Sequence, residues 1–265
     1  MGQTLALLGS PDPRLDPLSS GKLDYRLRSM LRNYRLTDPA PARIKPIPVP
    51  ILIAATVSTQ HLSLATQSAG DMICIGLYYL CRPGEYAVSS EASLSTPFRL
   101  ADVELFVGRT RLDFVTAPED DLRSASYAIL TFTLQKNTVP GEKIGHARSG
   151  HPYFCPVLAL VRRVLHLRQH GATPTTPLHC YYTRQTRHDL HVQAVTTLLR
   201  KAVALQGAEY GITAKDVEAR SLRSSGAMAL LCARVDPDLI QLVGRWRSDA
   251  MFRYLQFGTQ NASIW

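Results

Sequence analysis

The stretch SYAILTFTLQK, residues 126–136, limits the fold more than any other part of the chain. Ala128, Leu130, Phe132 and Leu134 fall on one side of a two-residue repeat, and Thr131, Thr133 and Gln135 on the other. That period belongs to a strand half-buried against a core, because slipping it by one residue would turn its apolar set to water. The run ends at Lys136 and Asn137, ahead of the turn-prone VPGEK. It therefore reads as one arm of a β-hairpin with Lys136 at the tip. ADVELFVG, residues 101–108, supplies a second strand.

Elsewhere the period is helical. A helical region is predicted from Leu62 to Leu80, stopping before Arg82-Pro83-Gly84 because proline and glycine both end helices. CPVLALVRRVLHLRQHG carries apolar residues at 157, 160, 161, 164 and 165, with Gly171 as its stop. HVQAVTTLLRKAVALQG, AKDVEARSLRSSGAMALLCA and DPDLIQLVG continue the series, the last opening on Asp236 as cap and Pro237 in the first turn. SDAMFRYLQF, capped by Ser248 or Asp249, closes it. The expected class is α+β, mainly α-helical, with a small antiparallel sheet. Residues 1–50 are proline-rich and read as a linker around one short basic helix, YRLRSMLRNYRL; the globular part runs over 51–265.

Charge narrows the partners. Lys plus Arg number 30 against 21 for Asp plus Glu, a formal net charge of +9. Such an excess suits a polyanion such as nucleic acid, or a merely basic protein. The five cysteines are odd in number and never form a CxxC pair, which fits neither a disulfide framework nor a zinc site. A reducing, intracellular setting is the corresponding expectation. The longest apolar stretch, residues 72–81, is interrupted by Gly76 and is too short to span a bilayer.

The chemistry-bearing residues gather toward the C-terminus, in ARSLRSSGAMALLCARVDPDLIQLVGRWRSDAMFRYLQ. Arg220 and Arg223 stand three apart on a predicted helix and so on one face. Guanidinium forks there match phosphate oxygens, while Glu218 or Asp216 offers a purely structural neutralisation. In CRPGEY, Arg82 and Glu85 read as an ion pair at a helix end, or as part of a site. Tyr254 alone reads as a packing residue.

Taken in order, these boxes resemble the catalytic domain of the tyrosine recombinases, or phage-type integrases, over roughly residues 50–256. IGLYYLCRPGE resembles the turn that carries the family's first arginine, here Arg82, and its acidic neighbour, here Glu85. TFTLQKN resembles the hairpin that carries the lysine, here Lys136. ARSLRSSGAMALL stands for the HxxR box, with Arg223 as the second arginine and Arg220 at the histidine's place. LVGRW stands for an LGH-like turn, with Arg245 at the histidine's place and Trp246 after it; tryptophan is an accepted alternative there in the family. Tyr254 then matches the nucleophile, and the GRW, SDA and RYL wording is most similar to crypton-like eukaryotic mobile-element integrases.

The resemblance implies a site-specific DNA recombinase working without metal or cofactor on double-stranded DNA, as a homo-oligomer such as a tetramer, in the nucleus if the source is eukaryotic. Tyr254 would form a 3′-phosphotyrosyl link, Arg82 and Arg223 would clamp the phosphate, and Lys136 would protonate the leaving 5′-oxygen. Residues 1–50 would be the remnant of an N-terminal core-binding domain. Arginine stays protonated and cannot act as the base a histidine would supply, although it can bind phosphate and lower a tyrosine's pKa. His179, His188 and His191 are the nearest imidazoles in sequence. A DNA-binding relative without turnover and a type IB topoisomerase-like enzyme are the alternatives.

Overall fold

A computed structural model describes residue 15, residues 22–37, 44–89, 96–133 and 141–246. The chain divides into two units, Met1–Arg43 and Ile44–Trp265. The first holds the basic helix α1 (Tyr25–Thr37), started by the Asp24 carboxylate accepting from the Arg26 N–H at 2.8 Å. The second begins ahead of the expected 50/51 boundary because its leading residues are tied into it. Ile47 is buried, its N–H donates to Ser225 Oγ at 2.7 Å, and the Lys45 N–H donates to the Asp216 carbonyl at 2.8 Å.

In the second unit, α2 (Val49–Thr59) and α3 (Leu64–Tyr78) pack on each other. Ser63 caps α3 by accepting from the Thr66 N–H. The helix is buried continuously from Ser68 to Leu77, since α2, α6 (Pro156–Gln169), α7 (Val192–Gln206) and α8 (Ser221–Cys232) all pack against it. A helix covered on every side needs no polar stripe, and this run is small and apolar except for Asp71, which accepts from Arg162 Nε at 2.7 Å. All five apolar positions of the 155–171 pattern are buried on α6.

The sheet is antiparallel, in the order β2 (Thr110–Arg111), β1 (Val103–Val107), β3 (Tyr127–Phe132), β4 (Glu142–Ala147). Leu105 pairs with Ala128, and Leu130 with Ile144. Val103, Leu105, Ala128, Leu130, Phe132 and Ile144 form its buried face, against α6, as the two-residue repeat requires. Smaller pieces complete the unit: the single turn α4 (Pro83–Tyr86), the short α5 (Glu119–Ser124), a hairpin of β5 (Tyr181–Thr183) and β6 (Thr186–His188), and α9 (Pro237–Gly244). Among the described residues no helix is long and apolar enough to cross a membrane.

The sequence differs from the structure most usefully at 214–233, expected as one helix. A 3-10 turn, Ala214–Asp216, is followed by extended Val217, and α8 starts only at Ser221. Tertiary hydrogen bonds account for the break. Asp216 accepts from the Thr213 N–H at 2.8 Å, Arg200 donates to the Val217 carbonyl at 3.1 Å, and the Tyr86 hydroxyl donates to the Ala219 carbonyl at 3.0 Å. Arg220 is therefore the N-cap residue of α8, with its side chain at the surface, while Arg223 lies inside the first turn and is buried. One guanidinium is at the surface beside Glu218 and the other is buried against the Leu80 and Gly244 carbonyls.

Candidate active site

Two helix C-termini build the site. At the end of α3 the Leu80 N–H donates to the Leu77 carbonyl and the Cys81 N–H to Gly76, the paired bonds of a Schellman turn. Leu80 holds the left-handed conformation, with φ of 48°, where glycine is usual. At the end of α9 the same pattern recurs: Arg245 donates its N–H to Leu242 and Trp246 to Gln241, and Arg245 has φ of 58°. Turns of this kind leave backbone carbonyls facing away from the helix, at the negative end of its dipole.

Arginines occupy those carbonyls. Arg223 donates from Nη1 to the Leu80 carbonyl at 2.8 Å and from Nη2 to the Gly244 carbonyl, so one guanidinium spans both helix ends. Gly226, one turn along α8, permits this approach: a Cβ there would stand 2.4 Å from the Leu77 carbonyl oxygen. Arg245 donates to the carbonyls of Tyr79 and Leu80, at 3.0 and 3.1 Å, and to Glu85 Oε2 at 3.1 Å. Glu85 Oε2 also accepts the Arg82 N–H at 2.8 Å, while Oε1 accepts from Arg82 Nη1 at 3.1 Å. Arg82, Arg223 and Arg245 thus form one connected cluster, linked through Leu80 and Glu85.

Burial is graded across the cluster. The Arg245 side chain is 0% exposed and Glu85 1%, whereas Arg82 keeps 23%. Loss of water pushes the Arg245 pKa down, opposed by Glu85, and pushes the Cys81 thiol up. Aromatic faces take the remaining surface of two guanidiniums: Arg245 lies 3.6 Å over the Phe132 ring and Arg223 4.3 Å over Trp246. Phe132 ends β3 opposite Glu142, so that end of the β3–β4 pair rests on the cluster. Among the described residues, three guanidiniums contact one carboxylate, Glu85, with Glu142 acting on Arg245 from farther off, a local excess of positive charge that suits an anion.

The other sequence candidates are placed as follows. Arg220 sits outside the cluster, 65% exposed, with Nη2 2.9 Å from Glu218 Oε2; the neutralisation by Glu218 is realised, whereas Asp216 pairs with Lys45. Lys136, Tyr254 and the SDAMFRYLQF helix lie outside the described residues. His179 faces Asp189 at 3.5 Å, with burial pushing its pKa down to about 4. His188 bonds Thr183 Oγ1 at 2.7 Å, and His191 is the N-cap residue of α7. Sequence reasoning missed the carbonyl acceptors, Phe132 as a platform, and Gly226. Of these only Gly226 left a trace, as a glycine inside a helical pattern.

No protein-family model and no curated protein matches the chain. Among solved structures, the XerH site-specific recombinase bound to its difH substrate in a pre-cleavage complex aligns with 100% of this chain and 75% of its own, at 12% identity and a TM-score of 0.51. The Tn1549 transposon integrase in complex with circular intermediate DNA aligns with 85% of this chain, at 15% identity and a TM-score of 0.45. This chain spans 64% of that integrase structure. Together with the helices around α3 and the small antiparallel sheet, the XerH alignment shows that the chain has the fold of the tyrosine recombinase catalytic domain.

Proposed function

We propose that the chain is a tyrosine recombinase-like DNA strand transferase whose arginine cluster holds the scissile phosphodiester. The observation that carries this reading is the union of Arg82 and Arg223, from separate parts of the chain, around the Leu80–Glu85 turn. Fixed guanidiniums in a mostly dry setting stabilise the charge that gathers on phosphoryl oxygens during displacement. Tyr254 Oη attacks phosphorus, its proton passing to water, and the bond to the 5′-oxygen breaks. That oxygen takes a proton from Lys136, leaving a 3′-phosphotyrosyl link and a free 5′-hydroxyl. Trp246, already against Arg223, would border the phosphate, and Arg220 would lie on the DNA-facing rim.

Double-stranded DNA is the partner, joined by further copies of the chain in a tetramer on the recombining sites, and a mobile element of the crypton-like branch is the source. The net charge of +9 supports the DNA assignment, as does the XerH structure of this fold, which is bound to its difH substrate. The test is incubation with suicide duplexes nicked near the cleavage position, resolved on denaturing gels. A protein–DNA adduct lost in Tyr254→Phe and in Lys136→Ala is the expected result. DNA binding with no adduct at any target sequence would instead identify a relative that keeps the clamp without turnover.

A further inference from the structure

Glu85 is shared. One of its oxygens takes the Arg82 guanidinium, and the other takes both the Arg82 N–H and the Arg245 guanidinium. Arg245 is more buried than Arg82, and it is anchored independently by the carbonyls of Tyr79 and Leu80 and by the ring of Phe132. With both arginines present, the Arg82–Glu85–Arg245 group carries one net positive charge. Without Arg245 it would carry none, and the buried carboxylate would have Arg82 as its sole described cationic contact.

We infer that Arg245 is a positioning residue that balances Glu85, so that Glu85 does not cancel the charge Arg82 presents to an anionic ligand. The inference rests on the phosphate-clamp reading and assigns within it a function to the arginine at the histidine's place. Arg245 itself does not touch the ligand. It acts through Glu85, and its own charge is spent inside the protein. The Coulomb contribution of one unit charge at this range, in a partly buried setting, corresponds to about a tenfold change in anion affinity.

The chain reports on the site by itself. Trp246 lies against Arg223, and the sequence holds one other tryptophan, so Trp265→Phe leaves a single local fluorophore. Inorganic phosphate is titrated at constant ionic strength, following Trp246 fluorescence in that background. Arg245→Gly, which suits the positive φ, is expected to bind phosphate about tenfold more weakly. Glu85→Gln, which adds a net positive charge, is expected to bind several-fold more tightly even though it weakens the fold. The double variant, with the original net charge, is expected within about threefold of the parent, as is Arg245→Lys.

A merely structural role predicts the opposite ordering, with Glu85→Gln weaker and the double variant weakest. That ordering, or an affinity unchanged in Arg245→Gly, overturns the inference while leaving the clamp intact. Absence of any saturable phosphate response in the parent overturns the clamp reading and this inference together. If Arg245→Gly alone fails to fold, Glu85→Gln and the double variant still decide the matter by the sign of their shifts.

Discussion

Gly226→Ala tests how closely α8 must approach α3 for the arginine cluster to exist. A Cβ at 226 would lie 2.4 Å from the Leu77 carbonyl oxygen and 2.3 Å from Leu80 Cδ2. The leucine methyl can rotate away, but the carbonyl is fixed in the last turn of α3. Ordinary contact distance therefore requires the helices to separate by about 1 Å. Alanine contributes up to about 1 kcal/mol of helix propensity, against an overpacking cost of about 1–3 kcal/mol plus the lost cluster contacts. The net expectation is a destabilisation of about 1–3 kcal/mol, or a fall in Tm of roughly 2–10 °C for a unit of this size. The same displacement carries Arg223 Nη1 from 2.8 Å of the Leu80 carbonyl beyond hydrogen-bond range, so phosphate affinity falls as well. Urea unfolding and the Trp246 titration measure the two effects on one sample. Gly145→Ala is the control: its Cβ would meet the Tyr127 hydroxyl at 2.1 Å, but that is the end of a half-exposed side chain and can swing aside. If Gly226→Ala is as stable as the parent, the close approach does not constrain the site.

His179 makes stability depend on pH. Burial lowers its folded-state pKa from 6.5 to about 4, so between those values the unfolded chain holds more protons than the folded one. The contribution is complete above about pH 6.5 and is lost as the pH falls toward 4, with a limiting slope of about 1.4 kcal/mol per pH unit. Tm measured over that window is expected to drop, and His179→Asn to flatten the curve; an equal slope in the variant would refute the assignment. Phe132→Leu is expected to cost about 1–3 kcal/mol by removing both the surface under Arg245 and the edge contact with Phe98, read by urea denaturation. A cost below about 0.5 kcal/mol would mean that the guanidinium gains nothing from the ring.

The parts of this fold that the sequence revealed are those set by a period. Burial alternates along β3 as the two-residue repeat requires, and all five apolar positions of the pattern at 155–171 are buried on α6, where Arg163 is buried as well by donating to the Leu178 and Cys180 carbonyls. Elements without such a period were not legible. α2 reads as a short apolar run that suits either state until its partners are known. The β5–β6 turn puts Arg184 and Gln185 at positive φ, without the glycine or asparagine that announces such turns. Within the site, order and spacing named Arg82, Glu85, Arg223 and Arg245 together, because charged groups in sequence are visible whatever the fold does. What those side chains touch was hidden. Their acceptors are main-chain carbonyls released by two helix ends, and any residue can supply a carbonyl. The pairing of Arg220 with Arg223 failed for a related reason: whether a helix starts at Ala214 or at Ser221 depends on bonds from Tyr86 and Arg200, far away in sequence.

The left-handed backbone at Arg245 carries the last consequence. A non-glycine residue there costs about 1 kcal/mol relative to glycine, so considered as a turn alone the position favours Arg245→Gly. Against that gain stands the loss of a buried guanidinium with four described acceptors, among them a carboxylate that is itself buried. Breaking such a pair from one side costs about 3–5 kcal/mol, because the remaining charge stays out of water. Arg245→Gly is therefore expected to be destabilised by about 2–4 kcal/mol net, as measured by urea unfolding. Adding Glu85→Gln removes the stranded charge, so the double variant is expected to lose less than the sum of the two single changes. Additive losses would mean that Arg245 and Glu85 stabilise the unit independently. The shared carboxylate would then be a contact without coupling, and the arginine would be held by the helix ends alone.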